Sequence, residues 1–149
     1  MQAEPFEIRA LAHRVRAQGA ATSAAADALA GRARDIGWTG LAGAAMVGRT
    51  TAQARILGEI ADQHDTAARA LEAHAAAVEQ SLALIAEIER RVHTAMAGAR
   101  CRVRRFLDGV LDSLDPVDDA LASFVPPPPG SPDWLHVRIP GLSLPGLPW

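Results

Sequence analysis

Apolar and small residues return at steps of three and four from Ile8 to Val110, and that spacing commits the chain to long helices packed along their length. In the first stretch the positions are Ile8, Leu11, Val15, Gln18 or Gly19, Thr22, Ala26, Leu29, Ala33 and Ile36. Arg9, Arg14, Arg16, Asp27, Arg32 and Arg34 fall mostly off that seam. Pro5 suits a first helical turn, where its missing N–H would have had no partner. Gly37 can take the left-handed conformation that ends a helix. After Trp38-Thr39-Gly40 the period resumes, with Thr39 placed to cap the second helix.

The second helix begins weakly, because Gly40, Gly43 and Gly48 each cost about 1 kcal/mol relative to alanine. From Leu57 the seam strengthens: Ile60, His64, Ala67, Leu71, His74, Val78, Leu82, Ile85, Val92, Met96, Ala99, Val103, Phe106 and Val110. Asp65–Arg69 and Glu87–Arg91 stand four apart in the favourable orientation, each pair contributing a few tenths of a kcal/mol. Unbroken, this helix would span on the order of 100 Å at 1.5 Å per residue. The first helix would run out as a partner near Val78–Ile85, so another element must cover the seam beyond. Gly98 offers a bend or a break.

Asp115-Pro116 reads as a helix stop and restart, with Asp115 as N-cap and Asp118 and Asp119 in the first turn. The short helix runs to about Phe124. Pro126–Pro129 then sets a stiff extended run, and the prolines at 132, 140, 145 and 148 exclude a helix to the end. Leu135, Val137 and Ile139 alternate with His136 and Arg138, and the sequence ends on Trp149. Trp134, Leu135, Val137, Ile139 and Trp149 are therefore expected to dock, with a partner adding the contact that offsets the cost of ordering the segment. The organisation expected is a helical hairpin over 1–114 with its turn at 37–40, a short helix over 115–125 and a Pro-rich extended tail over 126–149.

Composition narrows the function classes. The chain of 149 residues is 49% hydrophobic but only 4% aromatic, so alanine and aliphatic residues supply the apolar surface. That favours helices in close contact over a thick core. A net charge of −2 provides no global basic field to recruit nucleic acid. Cys101 stands alone, so no intramolecular disulfide exists, and a buried or inert thiol is expected. The N-terminal stretch lacks the positive region and apolar core of a secretory signal peptide, and no run approaches the roughly 20 apolar residues of a membrane span. Synthesis in the cytoplasm is expected, with any export or envelope association following a route that needs no cleavable signal peptide.

A Trp-x-Gly between two amphipathic helices has a physical logic. Glycine lets the chain reverse where a side chain would clash, and tryptophan fills the open end of the hairpin, where at least half of Trp38 is expected to be buried. Trp38 and Gly40, with Thr39 as the free middle position, give residues 5 to 95 a resemblance to the WXG family of small early-secreted-antigen-like proteins. These are exported by type VII secretion systems of actinobacteria and other Gram-positive bacteria. The resemblance implies an all-α, antiparallel helix–turn–helix hairpin, completed to a four-helix bundle by a partner hairpin, a longer helical protein or a second copy. It also implies contact with the type VII secretion machinery. The family's Tyr-x-x-x-Asp/Glu export signal has no counterpart, since the chain contains no tyrosine. A partner would then supply the signal, or the chain would assist export without being an independent substrate.

The turn motif is Gly37, Trp38, Thr39 and Gly40. The partner interface expected on the second helix comprises Leu57, Ile60, Leu71, Val78, Leu82, Ile85, Val92, Met96, Val103 and Phe106. No enzyme, cofactor or metal site is expected. His64 and His74 lie on the seam ten residues apart, and no second ligand stands at zinc spacing. Arg100, Arg102, Arg104 and Arg105 form a basic cluster without interleaved aromatics, read as a solvated helix face. The rivals to a secretion-linked hairpin are a self-associating coiled-coil protein and an effector whose histidines loosen the bundle in acid against a membrane.

Overall fold

The computed structural model describes residues 4–37, 39–139 and 141–145. Among these the chain is helical with no strand. It comprises α1 (Pro5–Asp35), α2 (Gly40–Leu107), α3 (Pro116–Ser123) and a short 3₁₀ helix (Pro132–His136). Contacts divide it into two units, 1–78 and 79–149, with α2 contributing to both. The single hairpin expected over 1–114 is therefore two units with a boundary inside the second helix.

In the first unit α1 runs antiparallel to the first half of α2. The α1 residues buried deepest past the first turn are Ala12, Gly19, Ala26 and Ala33, one every seventh position; on α2 they are Gly43 near its start and then, at steps of seven, Ala54, Ala61, Ala68 and Ala75. A strict seven-residue repeat keeps one stripe facing its partner along the whole length. Alanine and glycine on that stripe let the two backbones approach closely. Gly19 marks the tightest point: a Cβ there would lie 2.9 Å from His64 Cβ and 3.3 Å from the Ala61 carbonyl oxygen. Arg16 reaches across to Glu72 with two hydrogen bonds of 2.6 and 3.1 Å and approaches Asp65 at 3.6 Å. That cross-helix pair fixes the register.

The α1 seam agrees with the spacing in the sequence at Ile8, Gly19, Ala26 and Ala33, but Ala12 is buried in place of Leu11, and Ile36 is exposed at the helix end. On α2 the seam lies one residue further along than the larger side chains suggest. Ala61, Ala68 and Ala75 are buried, whereas Ile60, Ala67 and His74 are exposed. Leu57, His64, Leu71 and Val78 flank the alanine stripe, half-buried.

The second unit is a mixed core. Ile85, Ile88, Val92, Met96 and Ala99 of α2 meet Leu121 of α3 and Trp134, Val137 and Ile139 of the C-terminal segment. Trp134 is 0% exposed, and its indole N–H donates to the Pro128 carbonyl at 2.9 Å. Helix α3 starts as its sequence dictates, with the Asp115 carboxylate accepting from the Val117 N–H and Pro116 in the first turn. It is clamped to α2 by Arg102, whose guanidinium donates twice to the carboxylate of Asp118 at 2.6 and 2.7 Å.

α2 does not break at Gly98 and continues to Leu107. It stops short of Val110 because Gly109 takes φ +73°. The Val110 N–H then reaches back to the Arg105 carbonyl and the Gly109 N–H to that of Phe106, the paired closure of a Schellman motif.

Candidate interaction surface

The turn between α1 and α2 is built by two left-handed glycines, Gly37 at φ +61° and Gly40 at φ +81°. Any L-residue with a side chain would be strained at either. Gly37 directly follows the C-cap Ile36, whose N–H still reaches the Arg32 carbonyl at 3.2 Å. Thr39 is exposed, and Trp38 lies outside the described residues. Gly37, Thr39, Ala42, Gly43, Met46 and Arg49 line an open depression beside the turn.

Because alanine and glycine make the helix contact, larger apolar side chains in the first unit are left outside it. Leu11, Met46, Ile56 and Ile60 are exposed, and Leu41 is 93% so. Of the interface residues expected here, Ile60 is exposed and Leu57, Leu71 and Val78 are half-buried in the hairpin itself.

The second unit corrects the rest of that interface. Ile85, Val92 and Met96 do not face outward for a partner; they are buried under α3 and the C-terminal segment of the same chain. Leu82 and Phe106 are exposed and Val103 is half-buried. The tail is accordingly not an extended arm waiting for a partner. Trp134, Val137 and Ile139 are buried and Leu135 packs against the cluster, with residues 132–136 wound into the 3₁₀ helix; Trp149 lies outside the described residues. The turn at Ser131, whose hydroxyl accepts from the Asp133 N–H, folds the segment back after the prolines and lets it dock unaided.

The charged groups play structural parts. Hydrogen bonds from Arg16 hold the Glu72 carboxyl below its usual range, and those from Arg102 do the same for Asp118. Hydrogen bonds from Arg91 and Arg90 lower Glu87. The basic cluster is thus only partly a solvated face: Arg102 is taken by Asp118, and Arg100 donates to the Ala122 carbonyl at 3.5 Å. Cys101 is exposed on α2, pointing away from the Met96–Ala99 side of the helix, so burial does not account for it. His64 Nδ1 lies 2.8 Å from the Ile60 carbonyl, and His93 stacks obliquely on Trp134 with ring centroids 5.7 Å apart. Among the described residues no three His, Cys, Asp or Glu side chains come together as a metal site, and no helix is long and apolar enough to cross a membrane.

Sequence alone missed the alanine stripe as the helix contact and the intramolecular seat of Trp134. The seven-residue recurrence of Ala54, Ala61, Ala68 and Ala75 is visible in the sequence, but alanine is too common in this chain to stand out. The chain matches no protein-family model, no characterised protein and no solved structure.

Proposed function

We propose that this chain is a non-enzymatic helical protein of the WXG kind, which pairs with another helical chain and is secreted by, or assists, a type VII secretion system. The observation that carries the reading is the hairpin of the first unit. Its helices meet through small residues, reverse at Gly37 and Gly40 on either side of Trp38-Thr39, and leave Leu11, Met46, Ile56 and Ile60 uncovered. A second hairpin laid on those side chains would complete a four-helix bundle and bury apolar surface at about 25 cal/mol per Å². Ile85, Val92 and Met96 are already covered within the chain, which supports placing the partner on the side chains the hairpin leaves exposed.

Co-expression with the products of the neighbouring genes tests the pairing. A stoichiometric complex with a helical protein is expected, weakened by Ile56→Asp and Ile60→Asp together. Export is read separately, as the amount of this chain and its partner in culture medium with and without the secretion ATPase. A chain that purifies without a helical partner, and whose location is indifferent to that ATPase, would overturn the proposal. A complex formed only with itself would favour the self-associating coiled coil.

A further inference from the structure

The alanine seam of the first unit divides the hairpin into two unlike sides. From Ala12, Gly19 and Ala26 on α1, or Ala54, Ala61 and Ala68 on α2, a step of four residues leads to one side and a step of three to the other. The four-step rows are Arg16, Ser23 and Ala30 with Gly58, Asp65 and Glu72, and the reach of Arg16 to Glu72 and Asp65 puts both rows on one side. Further out on that side, one position after the seam, stand Asp27, Arg34, Arg55, Asp62 and Arg69. The three-step rows are Val15, Thr22 and Leu29 with Leu57, His64 and Leu71, all half-buried. Beyond them lie Leu11, Gln18 and Ala25 with Gln53, Ile60 and Ala67, all exposed. The formal charges in the rows of this second side are Glu4 and Arg32, at the two ends of the row that Leu11, Gln18 and Ala25 fill.

That row inverts onto itself. Turned end for end about Gln18, Glu4 falls opposite Arg32, Leu11 opposite Ala25, and Gln18 opposite Gln18. Acid meets base and a large side chain meets a small one, the complementarity that facing helices need. On α2 the same inversion sets Ile60 opposite Ala67 and Leu57 opposite Leu71, about the level of His64. The two centres coincide, because a Cβ on Gly19, the neighbour of Gln18, would stand 2.9 Å from His64 Cβ. One twofold axis crossing both helices at that level therefore serves the whole face, and each contact is made twice.

We propose that a second copy of this chain covers this face, laid antiparallel on it with its Gly37 and Gly40 turn at the opposite end. The proposal rests on the reading of the hairpin's uncovered side chains as a pairing surface. It describes the chain alone; a co-expressed helical protein would compete for the same face. The charged side, with Arg16, Asp65 and Glu72, stays in solvent.

Sedimentation equilibrium of the full chain is expected to give twice the chain mass. Arg32→Glu sets two acids against each other at both ends of the pair. It is expected to raise the dimer dissociation constant roughly tenfold with helical circular dichroism unchanged, and adding Glu4→Arg is expected to restore it. In a Cys101→Ser chain, which removes the exposed thiol, Gln18→Cys on the axis is expected to join two copies through a short bis-maleimide, whereas Ser23→Cys on the charged side is not. A dimer indifferent to the charge reversals, or one joined through Ser23→Cys and not through Gln18→Cys, would overturn the proposal. A chain that is monomeric alone yet forms a stoichiometric complex with the helical product of a neighbouring gene would overturn self-pairing and leave the pairing function standing. A monomer with no such partner would overturn both.

Discussion

Replacing Gly19 by alanine sets two effects of known size against each other. On helix propensity alone the change is favourable, since glycine inside a helix costs about 1 kcal/mol relative to alanine. In the hairpin the new methyl would stand 2.9 Å from His64 Cβ and 3.3 Å from the Ala61 carbonyl oxygen. Neither atom can swing away, because one is fixed to the α2 backbone and the other lies in its peptide framework. The helices must part by several tenths of an ångström, which loosens the contacts of Ala12 and Ala26 on either side. Overpacking of this kind costs about 1–3 kcal/mol, so the net change is a loss of about 1 kcal/mol. Gly58→Ala is the control: it sits inside α2 with nothing within 4 Å of its Cβ, so the propensity gain comes through almost whole. The same substitution at two helix-interior glycines should differ in stability by about 2 kcal/mol, with opposite signs. Urea unfolding followed by far-ultraviolet circular dichroism, compared at equal m-value, measures it. If Gly19→Ala stabilises the chain as much as Gly58→Ala does, the close approach of α1 and α2 is wrong.

Trp134→Ala should cost the second unit about 3–5 kcal/mol, the range for truncating a buried large aromatic. With Trp38 and Trp149 changed to phenylalanine, the remaining emission should be blue-shifted and resist acrylamide; solvent-like emission would contradict the burial of Trp134. Asp118 is held below the ordinary carboxyl pKa by Arg102, so its contribution is fully present above about pH 4, the unfolded value, and is lost as pH falls through the lower folded value. Asp118→Asn should therefore lower stability near neutrality and flatten its fall in acid, read as urea midpoints against pH; an unchanged profile would show that the pair is not coupled to folding. Cys101 should react with a thiol reagent at one equivalent per chain without denaturant, and protection until unfolding would mean that it is covered.

What could be read from the residues and what could not divide along physical lines. Termini were legible because their causes are local. Pro5 opens α1, Gly37 reverses the chain after Ile36, and Asp115 with Pro116 starts α3. The end of α2 was misplaced for an equally local reason. Val110 continues the apolar spacing, but the left-handed Gly109 closes the helix before it. The α2 seam was misread because hydrophobic weight and geometric contact are different quantities. Ile60 is the stronger hydrophobe, yet Ala61 is the one small enough to face the close partner stripe of α1. A branched side chain on that stripe would hold the helices apart and forfeit the register that Arg16 and Glu72 secure. A long apolar pattern thus tells which residues seek cover, but side-chain volume decides which of them get it from the nearest helix.

The C-terminal segment shows the same separation at longer range. Its sequence declares that Trp134, Val137 and Ile139 need burial, and an entropy estimate with each residue freed at about 1–2 kcal/mol makes docking look nearly neutral. That estimate treats the segment as an ordinary flexible chain. Four consecutive prolines from Pro126 restrict the undocked state, and the Ser131 turn and the Trp134 N–H to Pro128 bond are made inside the segment itself. Less freedom is therefore lost on docking than the per-residue figure assumes. The balance tips toward the chain's own α2, with no second molecule needed. The residues that periodicity assigned to a partner, Ile85, Val92 and Met96, are consumed by that intramolecular contact.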